Sequence, residues 1–403
     1  MKSNLFSAGS PGRLLPIQGS NVAFVPNLMP PKLDLGDLNP KIESAALAIG
    51  ELKGIGRLMR DSQVLVGPLI NREAVFSSRI EGTIASAEQL ALFDAETDDT
   101  KTEPTVREVG NYSRALRFGL ERLQDLPVSQ RLIRELHSEL MRGVRGDDKR
   151  PGEFRTRQNW IGRNPATPID EARFVPPPAT ELPRLLADWE SYANKRGAYP
   201  AVVDLALLHY QFEAIHPFAD GNGRVGRLLL PLTMAQWGLM PQPLLHLSPY
   251  FEGRYSDYAD LMLAVSQKGQ WPEWISFVLD AIAAQANEAL STSQYLLDLR
   301  DDYLSRVQTA RSSALLPRLV EFLFTHPALT IPRARQVLGV SYRGAQLNVE
   351  KLVSAGIVRE LKMDNGRRFF LASEIIDVTQ GRTERRAIAE RHGQTDSASS
   401  RLR

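Results

Sequence analysis

Residues 201–237 predict two helices joined by a short loop that contains two glycines. Along the first helix, apolar side chains recur at alternating spacings of four and three residues, at Ala201, Leu205, Leu208, Phe212 and Ile215. This period places them on one face of a helix. The second helix is predicted over 224–237, with a kink or a break at Pro231. Further helical patterns make the predicted fold mainly α, and they lie at 40–93, 106–119, 128–144, 254–266 and 271–300.

The loop and the start of the second helix form one run that combines glycines with charged side chains. The run is His216-Pro217-Phe218-Ala219-Asp220-Gly221-Asn222-Gly223-Arg224-Val225-Gly226-Arg227. Gly221 and Gly223 allow the backbone to turn tightly and to approach a ligand. The N–H groups at the start of the following helix lack partners within the helix, so they can bind an anion.

The charged side chains of this run suit phosphate chemistry. Arg224 and Arg227 are three residues apart and share a helix face, so both can bind the outer phosphates of a nucleotide. Asp220 is a hard oxygen ligand, suited to a Mg²⁺ ion that bridges phosphates. His216, with an ordinary pKa near neutrality, can take a proton from an attacking hydroxyl. A capping loop with a surface histidine and two solvated arginines is the structural alternative, and it leaves the co-occurrence of these groups unexplained.

The glycines of the run also match Gly-x-Gly-x-x-Gly, which is the fingerprint of dinucleotide-binding domains. That fingerprint follows a strand, whereas the segment before Gly221 is predicted to be a helix. It also requires an acidic residue about twenty positions downstream. The corresponding segment, Pro241–His246, contains none. The dinucleotide interpretation is therefore rejected.

The complete run resembles the signature of the Fic family, His-x-Phe-x-(Asp/Glu)-Gly-Asn-Gly-Arg-x-x-Arg, at every specified position. Members of this family are mostly adenylyltransferases, which move AMP from ATP to a hydroxyl group of a target protein and release pyrophosphate. The resemblance spans roughly residues 60–290 and implies a Fic-type helical core. It implies that His216 is the general base and that Asp220 is the Mg²⁺ ligand.

The resemblance also implies the nucleotide contacts of the motif. Asn222, Gly223 and the neighbouring backbone would form the site for the α- and β-phosphates. Arg224 and Arg227 would bind the β- and γ-phosphates. The implied nucleotide-binding residues of the motif are Asp220, Gly221, Asn222, Gly223, Arg224, Val225, Gly226 and Arg227.

Residues 155–175 predict two short strands around a turn. In the Fic resemblance this segment is the flap, a β-hairpin that aligns a target segment by strand addition and closes over the nucleotide. The positions that match nucleotide-lining flap residues are Ile161, Gly162, Arg163 and Asn164. An ordinary hairpin is the alternative. Relatives also place a tyrosine near the adenine, which implies Tyr258, and a packed tyrosine is the alternative there.

The hexapeptide Ser77-Ser78-Arg79-Ile80-Glu81-Gly82 resembles the inhibitory motif of the Fic class with an N-terminal inhibitory helix, (Ser/Thr)-x-x-x-Glu-(Gly/Asn). Ser77 and Glu81 are four residues apart and share a helical face. Glu81 would pair with Arg227 and compete with the γ-phosphate, because a bidentate Arg–carboxylate pair is strong and specific. ATP would then bind only with its α-phosphate misaligned. A surface glutamate at a helix end is the alternative.

Residues 310–375 predict a winged helix-turn-helix, with Thr330 and Ser341 as helix caps and a hairpin turn at Asn365-Gly366. Residues 315–373 contain nine Lys or Arg and four Asp or Glu, a net charge of +5 against +2 for the whole chain. This charge favours DNA binding, and protein docking or dimerisation is the alternative. The candidate DNA contacts are Tyr342, Arg343, Gln346 and Asn348 on the recognition helix and Arg367 and Arg368 on the wing.

The predicted organisation has four parts: an N-terminal irregular arm and helical region with the inhibitory helix (1–105), a Fic core (106–300), the winged helix (310–375) and a disordered tail (381–403). The chain contains no cysteine, which excludes disulfides, zinc thiolates and a thiol nucleophile. This composition fits a reducing, cytoplasmic location. No apolar stretch approaches the length of a membrane span, so no membrane partner is expected.

The sequence therefore predicts a protein adenylyltransferase that uses ATP and Mg²⁺ to modify a Ser, Thr or Tyr hydroxyl of a target protein or of itself, with inhibition by Glu81. The sequence does not identify the target. Two alternatives stay open: removal of AMP with help from Glu81, and a DNA-binding regulator whose Fic core senses a nucleotide. A homodimer is also compatible with the sequence.

Overall fold

The computed structural model describes residues 1–381, apart from 18, 20, 59–62, 97–102, 145–148, 165, 196, 309–314 and 364–365. Apart from residue 381, the predicted disordered tail lies outside this part of the chain. The fold is mainly helical, as predicted. Within the described part, none of the helices combines the length and the apolar character that a membrane span needs.

The first forty residues contain a β-hairpin, where the sequence predicted an irregular arm. Strands β1 (Gly12–Pro16) and β2 (Val22–Pro26) pair in antiparallel register, with Leu14 opposite Phe24. Phe24 is fully buried and its N–H donates to the carbonyl of Val175 (2.9 Å). The prediction was wrong because it relied on the local frequency of Pro and Gly, whereas burial of β2 against the core stabilises the hairpin.

Fifteen α-helices follow within the described residues. The N-terminal helices are α1 (Asn39–Leu58), α2 (Gln63–Ile80), α3 (Ala87–Ala95), α4 (Pro104–Arg122) and α5 (Gln130–Leu140). The central helices are α6 (Leu182–Lys195), α7 (Ala201–Ile215), α8 (Asn222–Gln236), α9 (Ser248–Gly253), α10 (Tyr255–Lys268) and α11 (Trp271–Val307). The C-terminal helices are α12 (Leu316–Thr325), α13 (Ile331–Leu338), α14 (Tyr342–Ser354) and α15 (Ser373–Thr379).

Helix α7 lies at the centre of the core, and nearly all of its side chains are buried. A helix that is surrounded on every side is stabilised by tertiary packing rather than by one amphipathic face. Trp189 of α6 donates to the carbonyl of Leu208, and Trp274 of α11 donates to that of Ala206, each at 3.0 Å. These contacts hold the middle of α7 between α6 and α11, and the motif begins where this helix ends. Helix α8 continues through Pro231 without the break that the sequence allowed.

Helix α2 packs against α4, α9 and α12. A β-carbon at Gly67 would lie 2.9 Å from the Cα of Thr325, so α2 and α12 approach more closely than a larger residue would permit. Further along α2, the buried Glu73 accepts hydrogen bonds from the hydroxyl of Tyr112 (2.9 Å) and the N–H of Ser248 (3.2 Å). Burial raises the pKa of Glu73. These contacts fix the axial position of α2, whose C-terminal end leads into the inhibitory motif.

The C-terminal elements comprise α12 to α15 and a three-stranded antiparallel sheet in the order β3-β5-β4. The strands are β3 (Ala328–Leu329), β4 (Arg359–Lys362) and β5 (Arg368–Leu371). The side chains of Thr330 and Ser341 cap α13 and α14. The sequence did not predict β3 or α15, since a two-residue strand gives no periodic signal. The predicted Asn-Gly turn lies partly outside the described residues.

The C-terminal sheet contacts α3. Arg359 of β4 pairs with Glu88 (2.7 Å), and Arg367, just before β5, pairs with Glu96 (2.9 Å). An apolar cluster beneath these pairs joins Ala91 of α3 to the sheet. Two of the arginines that raise the positive charge of this region are therefore already paired with carboxylates of the N-terminal helices.

Residues 155–178 form an extended loop in which Ile161 and Phe174 make one isolated antiparallel bridge. The N–H of Ile161 donates to the carbonyl of Phe174 (2.8 Å), and the N–H of Arg173 donates to that of Ile161 (2.8 Å). The two predicted strands are thus reduced to one bridge. Side-chain hydrogen bonds stabilise the rest of this segment, including one from Trp160 to the carbonyl of Thr167 (2.7 Å).

Candidate functional site

The loop between α7 and α8 is fixed by its own backbone and by one buried asparagine. His216 ends α7 in the left-handed conformation, at φ 50°, and Gly221 precedes α8 at φ 77°. The side chain of Asn222 accepts from the N–H of Phe218 (2.7 Å) and donates to its carbonyl (2.9 Å). The amide of Asn222 is therefore committed to the loop, and the phosphate contact implied for this residue would come from its backbone.

The start of α8 forms the predicted anion site, which comprises Gly223, the N–H groups around it and Arg227. A β-carbon at Gly223 would collide with Oε1 of Glu81 and would lie 2.9 Å from Nη1 of Arg227. Only a glycine leaves this space open. The carboxylate of Glu81 occupies it, directly at the helix N-terminus, where the helix dipole favours negative charge.

Arg227 makes three hydrogen bonds to the two predicted inhibitory residues Ser77 and Glu81. Its Nε donates to Oγ of Ser77 (2.9 Å), and its Nη2 donates to the carbonyl of Ser77 (3.0 Å) and to Oε1 of Glu81 (2.6 Å). Its side chain is 2% exposed, whereas that of Glu81 is 34% exposed. Burial alone would raise the pKa of Glu81, but Arg227 outweighs it and lowers that pKa below 4.5. The pair is therefore ionised at neutral pH.

Arg224 is paired with a carboxylate of a neighbouring helix. It is buried and forms an ion pair with Glu108 of α4, which is buried as well. Its Nη2 also lies 3.7 Å from the sulfur of Met141. Its implied contact with the β- and γ-phosphates stays a prediction, and it would require this buried pair to rearrange. Val225 is fully buried, so only its backbone can reach a nucleotide.

Asp220 lies at the open side of the loop. Its Oδ1 accepts from the N–H of Gly221 (2.7 Å), and its Oδ2 lies 3.4 Å from Nζ of Lys149. Its backbone carbonyl accepts from Nε2 of His137 (3.0 Å), whose Nδ1 accepts from the N–H of Gly152 (2.8 Å). Burial lowers the pKa of His137 to about 4, so this histidine supports the loop as a neutral ring. The described residues contain no group of three or more His, Cys, Asp or Glu side chains that could bind a metal ion.

His216 is partly buried beneath the loop. Burial, followed by the positive charge of Arg155, lowers its pKa to about 4. Glu81 and Asp220 act in the opposite direction. Within the described part of the chain, Nδ1 of His216 has no hydrogen-bond partner. The imidazole is therefore neutral at pH 7 and able to accept a proton.

Glu213, one helical turn before His216, is a carboxyl group that the sequence did not single out. A β-carbon at Gly226 would collide with Oε1 of Glu213, which explains the glycine at this position of α8. Burial raises the pKa of Glu213 to about 7, although Arg227 acts to lower it. The positive charge of Arg227 therefore acts on two carboxyl groups, those of Glu81 and Glu213.

The four implied flap residues lie in a tight turn near the loop rather than in a strand. Ile161 and Gly162 are half-buried, and Arg163 and Asn164 are exposed. A β-carbon at Gly162 would collide with Thr167 across the turn. This segment is tied to the motif, because the side chain of Asn159 donates to the carbonyl of Phe218 (2.9 Å).

Tyr258 lies in the core. It is 3% exposed, and its hydroxyl bonds to Nε2 of His209 (2.8 Å). Its ring stacks on Phe251 with the centroids 4.6 Å apart. Tyr255, which the sequence offered as the other candidate, is exposed. Contact of Tyr258 with an adenine stays a prediction.

Three residues of the site escaped the sequence interpretation as site residues: Glu108, Arg155 and Glu213. Each is a charged side chain in or beside an apolar stretch, and that was the only local signal available. Their partners are distant in sequence, as the separation of 116 residues between Glu108 and Arg224 illustrates. The predicted inhibitory motif, by contrast, is brought beside the start of α8: Ser77 and Glu81 contact Arg227, while Gly82 turns the chain at φ 81°.

Comparison with known proteins gives matches to two family models. Residues 39–121 match the model described as Fic/DOC family N-terminal, and residues 127–234 match the model described as Fic/DOC family. The first match contains Ser77 and Glu81, and the second contains the whole run from His216 to Arg227.

Curated relatives match parts of the chain. A protein adenylyltransferase Fic from Aedes aegypti is 31% identical over 150 residues, which are 37% of this chain and 26% of that protein. A probable protein adenylyltransferase from Aquifex aeolicus is 30% identical over 178 residues, which are 43% of this chain and 50% of that protein. The chain thus spans half or less of the length of these two relatives.

A solved structure shares the fold over most of the chain. The crystal structure of a Fic family protein from Desulfovibrio desulfuricans aligns with a TM-score of 0.52 and 23% identity, covering 85% of this chain and 98% of that one. The chain therefore contains two regions that match Fic/DOC family models, residues 39–121 and 127–234, and its mainly helical fold is similar to that of a Fic family protein.

Proposed function

We propose that this protein is a protein adenylyltransferase, which transfers AMP from ATP to a Ser, Thr or Tyr hydroxyl of a target protein or of itself. The observation that carries the proposal is the arrangement at the start of α8. A glycine N-terminus, the buried cation of Arg227 and the neutral imidazole of His216 meet at one loop. Such an arrangement can bind a polyphosphate and accept a proton beside it.

In the proposed reaction, the hydroxyl oxygen of the target attacks the α-phosphorus of ATP. His216 takes the hydroxyl proton, and the bond between the α-phosphorus and the bridging oxygen to the β-phosphate breaks. Pyrophosphate leaves with the electrons of that bond. The N–H groups around Gly223 and the guanidinium of Arg227 stabilise the phosphates, because preorganised donors cost little reorganisation when charge shifts to the leaving group.

Asp220 fits the role of a Mg²⁺ ligand. Nucleotide-bound Mg²⁺ needs only one or two carboxylates, since phosphate oxygens and water complete its shell. Oδ2 of Asp220 is partly exposed and is neighboured by Lys149, whose contact with it (3.4 Å) is long. Mg²⁺ would neutralise charge on the phosphates when bound. Lys149 would first have to move away from the carboxylate.

We also propose that Glu81 inhibits the transfer. Its carboxylate lies beside Gly223 and pairs with Arg227, so the γ-phosphate and Glu81 require the same guanidinium. A phosphate at the anion site would also meet the negative charge of Glu81. Productive ATP binding would therefore require Glu81 to leave, and the signal for that step is not encoded in the geometry of the site.

Mass spectrometry of the intact protein after incubation with ATP and Mg²⁺ tests the proposed activity. We expect the Glu81→Gly variant to gain the mass of one or more AMP groups. A Glu81→Gly protein that binds ATP but gains no mass, alone or with host lysate as a source of target, would contradict the transferase proposal.

Removal of AMP is a second candidate, favoured by the position of Glu81. A carboxylate beside the phosphate site can orient a water molecule towards the α-phosphorus of an AMP-modified side chain. In that case Glu81→Gly would abolish the removal of AMP. If the protein is only a transferase, the AMP-modified target would instead be stable in the presence of the unmodified chain.

For the C-terminal elements we propose DNA binding by a winged helix-turn-helix. Tyr342 and Arg343 are exposed at the start of α14, which supports the proposal. Asn348, by contrast, is buried and donates to the carbonyl of Gly344 (2.8 Å), so it does not read bases in this conformation. A salt-sensitive electrophoretic shift that Arg343→Glu abolishes would support DNA contact, and no shift at low salt would contradict it. The four-part domain division, a homodimer and a cytoplasmic location stay predictions.

A further inference from the structure

Arg155 is a buried cation whose side-chain hydrogen bonds, among the residues that the structure describes, all go to backbone carbonyls. It is 6% exposed and is the first residue of the extended loop 155–178. Its Nε donates to the carbonyl of His216 (2.8 Å), and its Nη2 donates to the carbonyls of Pro177 (2.6 Å) and Ile215 (3.3 Å). Its Nη1 donates to the carbonyl of Arg157 (3.3 Å). One side chain thus links the end of α7 to both ends of that loop.

The C-terminal end of α7 explains why a cation lies at this position. The last carbonyls of α7 have no partners within the helix and form the negative end of its dipole. A guanidinium with several donors in a fixed plane can satisfy more than one of them, which a lysine ammonium cannot do in the same geometry. The backbone N–H of Arg155 also donates to the carbonyl of Pro217 (2.9 Å). The carbonyls of Ile215 and Pro217, on either side of His216, therefore both accept a hydrogen bond from residue 155.

His216 needs this support because its backbone is strained. It adopts φ 50°, a left-handed conformation that costs energy in residues other than glycine. Such a conformation persists only where the surroundings determine it. The bond from Arg155 to the carbonyl of His216 is one of the contacts that do so.

We propose that Arg155 is a positioning residue for the transfer reaction: it fixes the backbone of His216 and couples the base to the loop that carries Ile161–Asn164. This proposal rests on the proposed adenylyltransferase function. Arg155 itself touches neither substrate nor reacting atoms, because its donors are taken by the main chain.

The charges that face His216 make this role testable. Arg155 stabilises the neutral ring, whereas the carboxylates of Glu81 and Asp220 stabilise the protonated ring. Burial is the larger cause and remains when Arg155 is removed, so the pKa of His216 would rise only part of the way from about 4 towards its ordinary 6.5. A base must be unprotonated to act, so the acid limb of the rate profile would move to higher pH.

The experiment uses the full chain with Glu81→Gly, so that transfer is measurable, and compares Arg155→Gln, Arg155→Lys and the exposed control Arg157→Gln. For Arg155→Gln we expect kcat to fall at least about tenfold, KM for ATP to change less than about threefold, and the acid limb to shift upwards by about one pH unit. Arg155→Lys retains the charge, so kcat should fall without that shift. Arg157→Gln should match the parent.

Titration of the His216 imidazole by NMR gives a readout that does not depend on activity, and His216→Ala identifies its signal. A rise in the pKa of His216 in Arg155→Gln, and none in Arg155→Lys, supports the proposal even if the proposed transfer fails. A folded Arg155→Gln variant with an unchanged pKa for His216 would overturn it. A folded Arg155→Gln variant with an unchanged kcat would also overturn the proposal, provided that the parent transfers AMP. If Arg155→Gln does not fold, Arg155→Lys decides the positioning role through kcat.

Discussion

The carboxylate of Glu81 lies against the Cα of Gly223, in the space that a β-carbon at residue 223 would occupy. In the proposed inhibition, Glu81 would block the anion site in two ways, by pairing with Arg227 and by filling the N-terminus of α8. The second contact depends on the absence of a side chain at residue 223. The inhibitory carboxylate and a phosphate group would use the same gap.

Substitution of Gly223 tests whether the gap beside this residue is the phosphate site. Gly223→Ala places a methyl group in the gap, so Glu81 must move away from Arg227, yet the phosphate can no longer approach α8. We expect this variant to lose ATP binding and to show no rise in auto-modification, as measured by calorimetry and by labelled ATP. Gly50→Ala in α1 is the control, since nothing lies within 4 Å of the β-carbon there. A Gly223→Ala protein as active as Glu81→Gly would show that the gap is not the phosphate site.

Ser77 should stabilise the inhibited state through Arg227. Its hydroxyl accepts from Nε of Arg227 (2.9 Å), and Ser77→Ala leaves that buried donor without this acceptor. An unpaired buried donor costs roughly 1–3 kcal/mol. We expect Ser77→Ala to raise basal auto-modification several-fold, but less than Glu81→Gly does.

The matched control for this test is Ser78→Ala. Ser78 is buried beside Ser77, and within the described residues its hydroxyl has no hydrogen-bond partner. The Ser78→Ala variant should leave the basal rate of auto-modification unchanged. An equal rise in both variants would assign the effect to general loosening of α2 rather than to Arg227.

The stability of the protein should fall as the pH falls from 6.5 towards 4. Burial lowers the pKa of five histidines to about 3 or 4, namely His137, His209, His216, His246 and His326. In the unfolded chain they titrate near 6.5, so between these values the unfolded state binds more protons and gains stability. For each histidine, a difference of one pH unit between its folded and unfolded pKa changes the free energy of unfolding by at most about 1.4 kcal/mol.

Four carboxyl groups have a pKa that burial raises, and they act in the opposite direction: Glu73, Asp94, Asp188 and Glu213. They are fewer than the histidines, so we expect Tm to be lower at pH 5 than at pH 7 by calorimetry. His326→Phe should reduce that difference, because it removes a titrating ring and retains an aromatic contact with Phe322 (ring centroids 4.6 Å apart). A Tm that is unchanged or higher at pH 5 would contradict the assignment of neutral buried histidines.

Local sequence signals were sufficient for the elements whose stabilising contacts are local. The apolar period over 201–215 gave both ends of α7 correctly. Thr330 and Ser341 cap their helices as predicted, because a capping hydroxyl needs only its own next three residues. The twelve-residue run from His216 to Arg227 was similarly readable, since its glycines and charges are contiguous.

The contacts that complete the site were not readable, because they join residues far apart in the chain. The resemblance of 77–82 to the inhibitory motif implied the pairing of Glu81 with Arg227. Nothing comparable marked Glu108 as the partner of Arg224, whose ion pair joins residues 116 positions apart. The β1–β2 hairpin was missed for the same physical reason, since its stability comes from packing on the core rather than from its own residues.

The most direct test of inhibited AMP transfer measures the incorporation of labelled AMP into three full-length proteins: the unmodified chain, Glu81→Gly, and Glu81→Gly with His216→Ala. We expect weak labelling of the first, at least about tenfold more of the second, and none of the third, which should still bind ATP. Equal labelling of the first two would contradict inhibition by Glu81, and labelling of the third would contradict His216 as the base.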